Sequence, residues 1–343
     1  MRKVRIVAGW VVIGALSLGS SFLYRTVQLG RGNAAAARLE NLNPAGELLG
    51  PEGICLDARG NLLVADARGL IWDLGRGGTA RIHARLIGAQ EPDAPEFQDA
   101  SVRVAGLAVD NTGNLYASLQ QSSGSAIYRV DAARNVEIFA KDIGASGPIA
   151  LTIDRRSLWI VDGSSNGRLL RFPLAAPTPA QPDRTIDGLK YPSGIAVGSE
   201  DRTIYASEMY AGTIVEIRPG ETKPAVRRIA DLKGRISLGS LRGLAFDPRD
   251  LERRILYVAE NLRGMFTLLD VKAQPPRIVK RLSVTLMGGR LCPGGMFIQD
   301  GYLYLTDLWS CSPLRLALGM PKWQTHAYRF QTPDPTAFYR TRF

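Results

Sequence analysis

Cysteine and histidine are scarce: three Cys and two His in 343 residues. Three cysteines cannot build a disulfide scaffold or a Cys₄ zinc site. His83 and His326 leave too little for a His-rich metal centre, and they disfavour zinc hydrolases and Ser-His-Asp enzymes. Lysine is also rare, with 8 of the 43 basic residues, the other 35 being Arg. No run of five or more like charges occurs, so the net +11 is spread along the chain. A nucleic-acid binder gathers such residues into a stripe with interleaved aromatics, and no nucleic-acid partner is expected. Polar low-complexity sequence is missing too. With 45% apolar and 22% charged residues, a packed core is feasible and wholesale disorder is excluded. The 36 Gly and 20 Pro that are present suit a turn-rich, all-β chain.

One long apolar run stands out. Ile6 to Tyr24 holds 19 residues without a charge, close to the ~20 that a helix needs to span a bilayer. Arg2, Lys3 and Arg5 precede it, so the N-terminus stays cytoplasmic and everything after Arg25 leaves the cytoplasm. A cleaved signal peptide is the alternative. The run is longer than a typical signal core, however, and it ends in Phe22, Leu23 and Tyr24 rather than in small residues. Residues 1–24 are therefore expected to be a cytoplasmic tip and an inner-membrane anchor. Residues 25–45, rich in Gly, Ala and Asn, read as a linker, and 46–343 as a domain in the periplasm or extracellular space.

That domain is built from one repeated unit. A small residue and three mostly apolar ones are followed by Asp, a turn, an apolar strand and an acid. The six copies begin at Gly53, Gly106, Ala150, Gly194, Gly243 and Gly295, spaced 53, 44, 44, 49 and 52 residues apart. A third apolar strand follows in each. Units of ~40–50 residues are blades of a β-propeller, so the expected fold is all-β, a six-bladed propeller behind an N-terminal transmembrane helix. One small twisted sheet cannot bury both faces, and neighbours around an axis can. Glycine suits the start of the inner strands, where backbones crowd. The ends of the second strands and the links between blades open on one face, which is where function is expected.

Three segments, Gly50-Pro-Glu-Gly-Ile-Cys-Leu-Asp57, Tyr191-Pro-Ser-Gly-Ile-Ala-Val197 and Ala206-Ser-Glu-Met-Tyr-Ala-Gly-Thr-Ile214, carry a family likeness. The chain resembles the six-bladed gluconolactonase (senescence marker protein) and strictosidine synthase-like propellers, and in particular their membrane-anchored branch. The resemblance implies a divalent cation, often calcium, at the axis. Its ligands would be a Glu, Asn residues and an Asp just before the inner-strand glycines. The matching positions here are Glu52, Ala105, Ile149, Ser193, Arg242 and Gly294. Ser193 stands where an Asn is implied and Arg242 where an Asp is implied, and a guanidinium binds no cation. Either Arg242 points elsewhere, or it replaces the metal and pairs with Glu52 in an axial channel formed with Ser193.

A second acidic set, Asp66, Asp162, Glu208, Glu260 and Asp307, ends five of the six second strands, with Ser118 the exception. These acids either accept backbone N–H bonds in turns or form a ring of carboxylates at the rim. Glu260 and Asn261 are the pair for a displaced metal site. Blade six carries an apolar insert, Leu308 to Trp323, readable as a lid, a docking patch or a self-packed loop. Cys292 and Cys311 flank the hairpin of that blade, and an oxidising compartment would let them form a disulfide. Cys55 is expected to stay a free, buried thiol.

The leading expectation is a membrane-anchored binding or complex-assembly subunit with a degenerate axial metal site. It would have membrane-protein partners or a small-molecule ligand, and no cofactor. The alternatives are a metal-dependent lactonase or esterase-type hydrolase using Glu52 and calcium or another divalent cation, and a strictosidine synthase-like enzyme with Glu208 as general acid/base.

Overall fold

The apolar runs of the repeat become strands, and their alternation explains how the blades pack. In Leu62–Ala65, Leu63 and Ala65 face blade two, while Leu62 and Val64 face blade six. In Ile255–Glu260, Leu256 and Val258 face blade four, and Tyr257 and Ala259 face blade six. Second strands are thus sandwiched between neighbours and read as continuous apolar runs. Outer strands such as Ala225–Asp231 are largely exposed and carry charge, which protects a sheet edge from stray pairing.

The computed structural model describes residues 25–29, 37–42, 48, 50–75, 79–86, 103–121, 124–145, 148–154, 156–198, 202–219, 224–232, 241–261, 264–286, 289–290, 293–307 and 327–338. The run 6–24 expected to be an anchor, the insert 308–323, Cys292 and Cys311 lie outside them. No helix among the described residues is long and apolar enough to cross a membrane.

The fold is an all-β, six-bladed propeller. Blade one holds Ile54–Leu56, Leu62–Ala65, Leu70–Leu74 and Ala80–Arg85, and blade two Arg103–Val109, Leu115–Gln121, Gly124–Val130 and Val136–Lys141. Blade three holds Pro148–Asp154, Ser157–Asp162, Gly167–Pro173 and Arg184–Leu189, and blade four Pro192–Val197, Ile204–Glu208, Thr213–Arg218 and Ala225–Asp231. Blade five holds Leu241–Phe246, Ile255–Glu260, Met265–Asp270 and Arg277–Leu286. Within each blade the strands are antiparallel neighbours in chain order from axis to rim.

Blade six is completed differently. Pro293–Gln299, Tyr302–Asp307 and Ala327–Gln331 come from the end of the chain, and the fourth strand, Ala37–Asn41, comes from its beginning. Glu40 lies opposite Arg329 and Asn41 opposite Tyr328. Arg25–Leu29 then pairs with Ala37–Asn41 on one side and with Arg277–Leu286 of blade five on the other. Within 25–45, expected to be a linker, the described residues include these two strands. Their partners come from distant parts of the chain, so no local repeat announces them.

Six apolar clusters fill the gaps between neighbouring blades. Each fully buried Leu, Ile or Phe in them contributes roughly 1.5–3 kcal/mol. The Asp that ends the inner-strand motif closes its turn. Asp57 Oδ1 accepts the N–H groups of Arg59 (2.9 Å) and Asn61 (2.8 Å), and Asp110 Oδ1 accepts those of Thr112 and Asn114 (both 2.9 Å).

At the axis five of the six inner strands, all but that of blade one, share an irregularity. Their ladders shift register between Val104 and Gly106, Pro148 and Ala150, Pro192 and Gly194, Leu241 and Leu244, and Pro293 and Met296. The residue just before the repeat glycine is therefore a bulge residue, re-aimed out of the ladder. The glycines permit the crowding this creates. A Cβ on Gly194 would lie 2.0 Å from the Arg242 carbonyl oxygen, and one on Gly295 2.1 Å from that of Glu52.

Candidate axial binding site

The bulges converge on a cavity of about 70 Å³ lined from all six inner strands, with Glu52, Ala105, Ser193, Arg242 and Gly294 on its wall. That is room for about two waters at their liquid volume.

Glu52 is buried, at 3% exposure, and is the only carboxylate on that wall among the described residues. Its backbone carbonyl accepts Gly295 N–H (3.1 Å) and Thr306 Oγ1–H (2.9 Å), tying blade one to blade six. Its side chain meets two guanidinium groups. Arg103, the first residue of the inner strand of blade two, donates Nε–H to Oε2 and Nη2–H to Oε1. Arg242 Nη1 donates to Oε1 at 3.3 Å. The sequence pattern singles out Arg242 and not Arg103. A signal for Arg103 exists: it lies two residues before Ala105, at the start of the same inner strand.

The two cations fare differently. Burial pulls the Arg103 guanidinium down, but the charge and hydrogen bonds of Glu52 outweigh it and hold the group above its ordinary range. Burial also pulls Arg242 down. The Glu52 charge opposes that, but the like charge of Arg103 adds to it, so Arg242 ends below its ordinary range. Both remain charged at neutral pH. Among the described residues, one carboxylate against two guanidinium groups leaves the site with one excess positive charge.

These residues do not fit the divalent cation that the gluconolactonase resemblance implies. A hard cation needs several uncommitted oxygens. Here Glu52 is held by guanidinium groups. The Ser193 hydroxyl donates to Leu241 O (2.6 Å) and contacts Ser207 Oγ at 3.1 Å. The remaining wall positions Ala105 and Gly294 supply no side-chain oxygen. Among the described residues no cluster of three His, Cys, Asp or Glu side chains is placed to hold a metal.

The hydroxyls beside the bulges have a structural task. Ser207 Oγ accepts the N–H of Gly194 (2.9 Å), freed from its ladder by the bulge, and donates to Arg242 O (2.8 Å) in the next blade. Thr306 Oγ1 accepts Gly295 N–H (3.0 Å) and donates to Glu52 O in the same way. Ser118, at the matching place in blade two, is buried without a hydrogen-bond partner for its hydroxyl.

None of the second-strand acids lines the cavity, and arginines take four of them. Asp66 accepts the side chain and backbone N–H of Arg68 and, at 3.0 Å, Trp72 Nε1. Asp162 pairs with Arg168 at 3.3 Å. Glu208 accepts Arg228 on both oxygens (2.6 and 2.8 Å) and the Lys190 N–H at 2.9 Å. Glu260 accepts the Thr267 hydroxyl, with Arg281 Nε 3.9 Å away. Asp307 is buried at the end of its strand, opposite Pro293. Guanidinium groups thus reach four of the five, backbone N–H groups reach Asp66 and Glu208, and the Thr267 hydroxyl reaches Glu260. Asn261 Nδ2 donates to Pro293 O (2.9 Å), which commits its amide to the backbone of blade six. Cys55 is a free, half-buried thiol packed between blades one and two, and burial, aided by the Asp57 charge, pushes it up.

No family model and no curated protein matches this sequence. Solved structures do match. A virginiamycin B lyase from Staphylococcus aureus superposes with a TM-score of 0.54 at 16% identity, covering 79% of this chain and 81% of that chain. The PQQ-bound aldose sugar dehydrogenase of Streptomyces coelicolor gives 0.57 at 14% identity, with 89% and 98% covered. A putative glucose dehydrogenase from Thermus thermophilus gives 0.59 at 17%, with 86% and 99% covered. The chain shares their propeller fold.

Proposed function

We propose that this chain is a binding propeller, in which an Arg103–Glu52–Arg242 cluster occupies the axial place that metal-dependent relatives of the fold give to a cation. The observation that carries this reading is the double capture of Glu52. A carboxylate engaged by two guanidinium groups neither ligates calcium nor accepts a proton from an attacking water. Sharing a fold with lyases and dehydrogenases does not carry activity over, because function resides in the site and not in the scaffold. One of the lyase structures is described as a catalytically inactive histidine-to-alanine variant. No histidine lines the present cavity among the described residues.

The propeller is further proposed to be tethered by the uncharged run 6–24 and to sit outside the cytoplasm, where it holds membrane-protein partners or a small molecule. The gluconolactonase resemblance then describes ancestry of architecture rather than of activity. Metal analysis of the purified full chain, joined to a calcium titration and a lactone-hydrolysis assay with and without chelator, tests this reading. No stoichiometric metal and no chelator-sensitive hydrolysis are expected. Calcium bound at Glu52 together with lactone turnover would replace the reading with the hydrolase one.

A further inference from the structure

A pair of exposed aromatic side chains flanks the inner strand that carries the wall residue Ser193. Tyr191 precedes the inner strand of blade four, two residues before Ser193 on the cavity wall. Tyr210 follows the second strand of the same blade. Met209 N–H donates to Tyr191 O at 3.0 Å, which draws the two segments together. The rings meet edge to face, with centroids 4.7 Å apart. Both are exposed, Tyr191 by 38% and Tyr210 by 50%, among few large side chains left open to solvent. Tyr191 also holds a left-handed backbone (φ +47°) that costs a non-glycine residue energy. Such strain is often kept at functional positions.

Arg242 belongs to the same corner. Ser193 and Ser207 of blade four hydrogen-bond the backbone carbonyls of Leu241 and Arg242. The one hydrogen-bond partner of the Arg242 guanidinium among the described residues is Glu52, reached through Nη1. The remaining N–H groups of its fork are uncommitted there.

We propose that Arg242 and the Tyr191–Tyr210 pair form a binding site for a small monocarboxylate with a planar or apolar body. The carboxylate would lie on the free edge of the Arg242 fork, and the body against the exposed tyrosine rings. This rests on the binding reading above and names its ligand class. Three features select the class. The one charge left unbalanced among the described residues matches a monoanion. A planar fork offers two parallel N–H bonds to a carboxylate. A cavity of about 70 Å³ admits a carboxylate head and leaves the rest of the molecule outside it, where exposed aromatic rings are available for stacking.

The test is calorimetric titration of the full chain in detergent, in low-chloride buffer, with benzoate, benzamide and acetate. Benzoate is expected to bind at least tenfold more tightly than benzamide, which has the same shape without the charge. Arg242→Gln is expected to weaken benzoate at least tenfold. Tyr210→Ala is expected to weaken benzoate severalfold while leaving acetate unchanged. Equal affinity for benzoate and benzamide, or full benzoate affinity in Arg242→Gln, would overturn the proposal. The benzoate–benzamide comparison uses the unaltered chain, so it decides even if a variant fails to fold. A parallel titration with calcium separates the two readings. Calcium binding that disappears in Glu52→Gln sinks the binding propeller itself. Absence of calcium binding with no preference for benzoate sinks only the ligand class.

Discussion

Arg103 makes the two-pronged contact with Glu52, and Arg242 touches the same carboxylate through a single 3.3 Å bond. The carboxylate is therefore satisfied by a neighbour in blade two and shared with a cation from blade five. This asymmetry sets what each side chain contributes. Arg103 holds the buried charge, whereas Arg242 is bound loosely and repelled by Arg103, which leaves it available.

Removing the three charges one at a time should show this order. Glu52→Gln leaves two guanidinium groups facing each other without their anion, and is expected to cost about 3–5 kcal/mol. Arg103→Met removes two charge-assisted hydrogen bonds but leaves Arg242 to balance Glu52, for a loss of about 2 kcal/mol. Arg242→Met relieves like-charge repulsion and is expected to change stability by less than ~1 kcal/mol. Urea denaturation of the three variants measures the order directly. An Arg242→Met loss equal to that of Arg103→Met would refute the asymmetry.

The bulged inner strands make a second prediction. Gly194→Ala places a methyl group 2.0 Å from Arg242 O, a clash between two backbones that no rotamer relieves. A loss of more than ~3 kcal/mol, or failure to fold, is expected. Ser207→Ala keeps the space but strips Gly194 N–H of its acceptor and Arg242 O of a donor. That should cost about 1–3 kcal/mol. Near-native melting of Gly194→Ala would mean that the inner strands can move apart, contrary to the packing described.

Much of this is readable from the sequence for a definite reason. Blade formation depends on local alternation of apolar residues and on a turn-closing Asp, as in Gly106-Leu-Ala-Val-Asp110, and these repeat along the chain. The wall positions Glu52, Ser193 and Arg242 are also reachable, because each sits at a fixed offset from a repeat glycine. Arg103 is signalled only by its place two residues before Ala105, and nothing in the repeat assigns that offset a role at the axis. The arginine partners of the rim acids are hidden for a similar reason. Arg168 and Arg228 come from third and fourth strands, whose register against the second strand the sequence does not state. The strands Arg25–Leu29 and Ala37–Asn41 pair across the whole length of the chain, which no local pattern encodes.

Those two strands lead to a third prediction. A chain beginning at residue 25 keeps the fourth strand of blade six and the bridge to blade five, and should melt cooperatively near the temperature of the full protein. A chain beginning at residue 43 loses both, leaving Ala327–Gln331 as an open sheet edge beside Phe330, a core residue of the gap between blades five and six. A melting temperature lower by roughly 5–10 °C, with increased aggregation, is expected. Indistinguishable melting of the two truncations would show that the N-terminal strands do not close the ring.

The last prediction concerns pH. His83 lies in the outer strand of blade one, Ala80–Arg85, and its Nδ1 is buried without a hydrogen-bond partner. Burial holds its imidazole below the ordinary 6.5, and the nearby Arg134 charge adds to this, against weaker upward pulls from Asp73 and Asp57. The folded state thus prefers the neutral ring. Between its lowered value and 6.5 the unfolded chain binds more protons than the folded one, so stability rises with pH across that window. The contribution is complete above pH 6.5 and is lost as the pH falls below 6.5 through the folded value. His83→Leu removes the titrating group. Its stability should therefore stay flatter than wild type between pH 8 and about pH 5, and the gap between the two curves should open only below ~6.5. Urea denaturation at four pH values suffices. Parallel curves for the two proteins would mean that the ring is free to charge in the folded state, and that Arg134 and burial do not act on it.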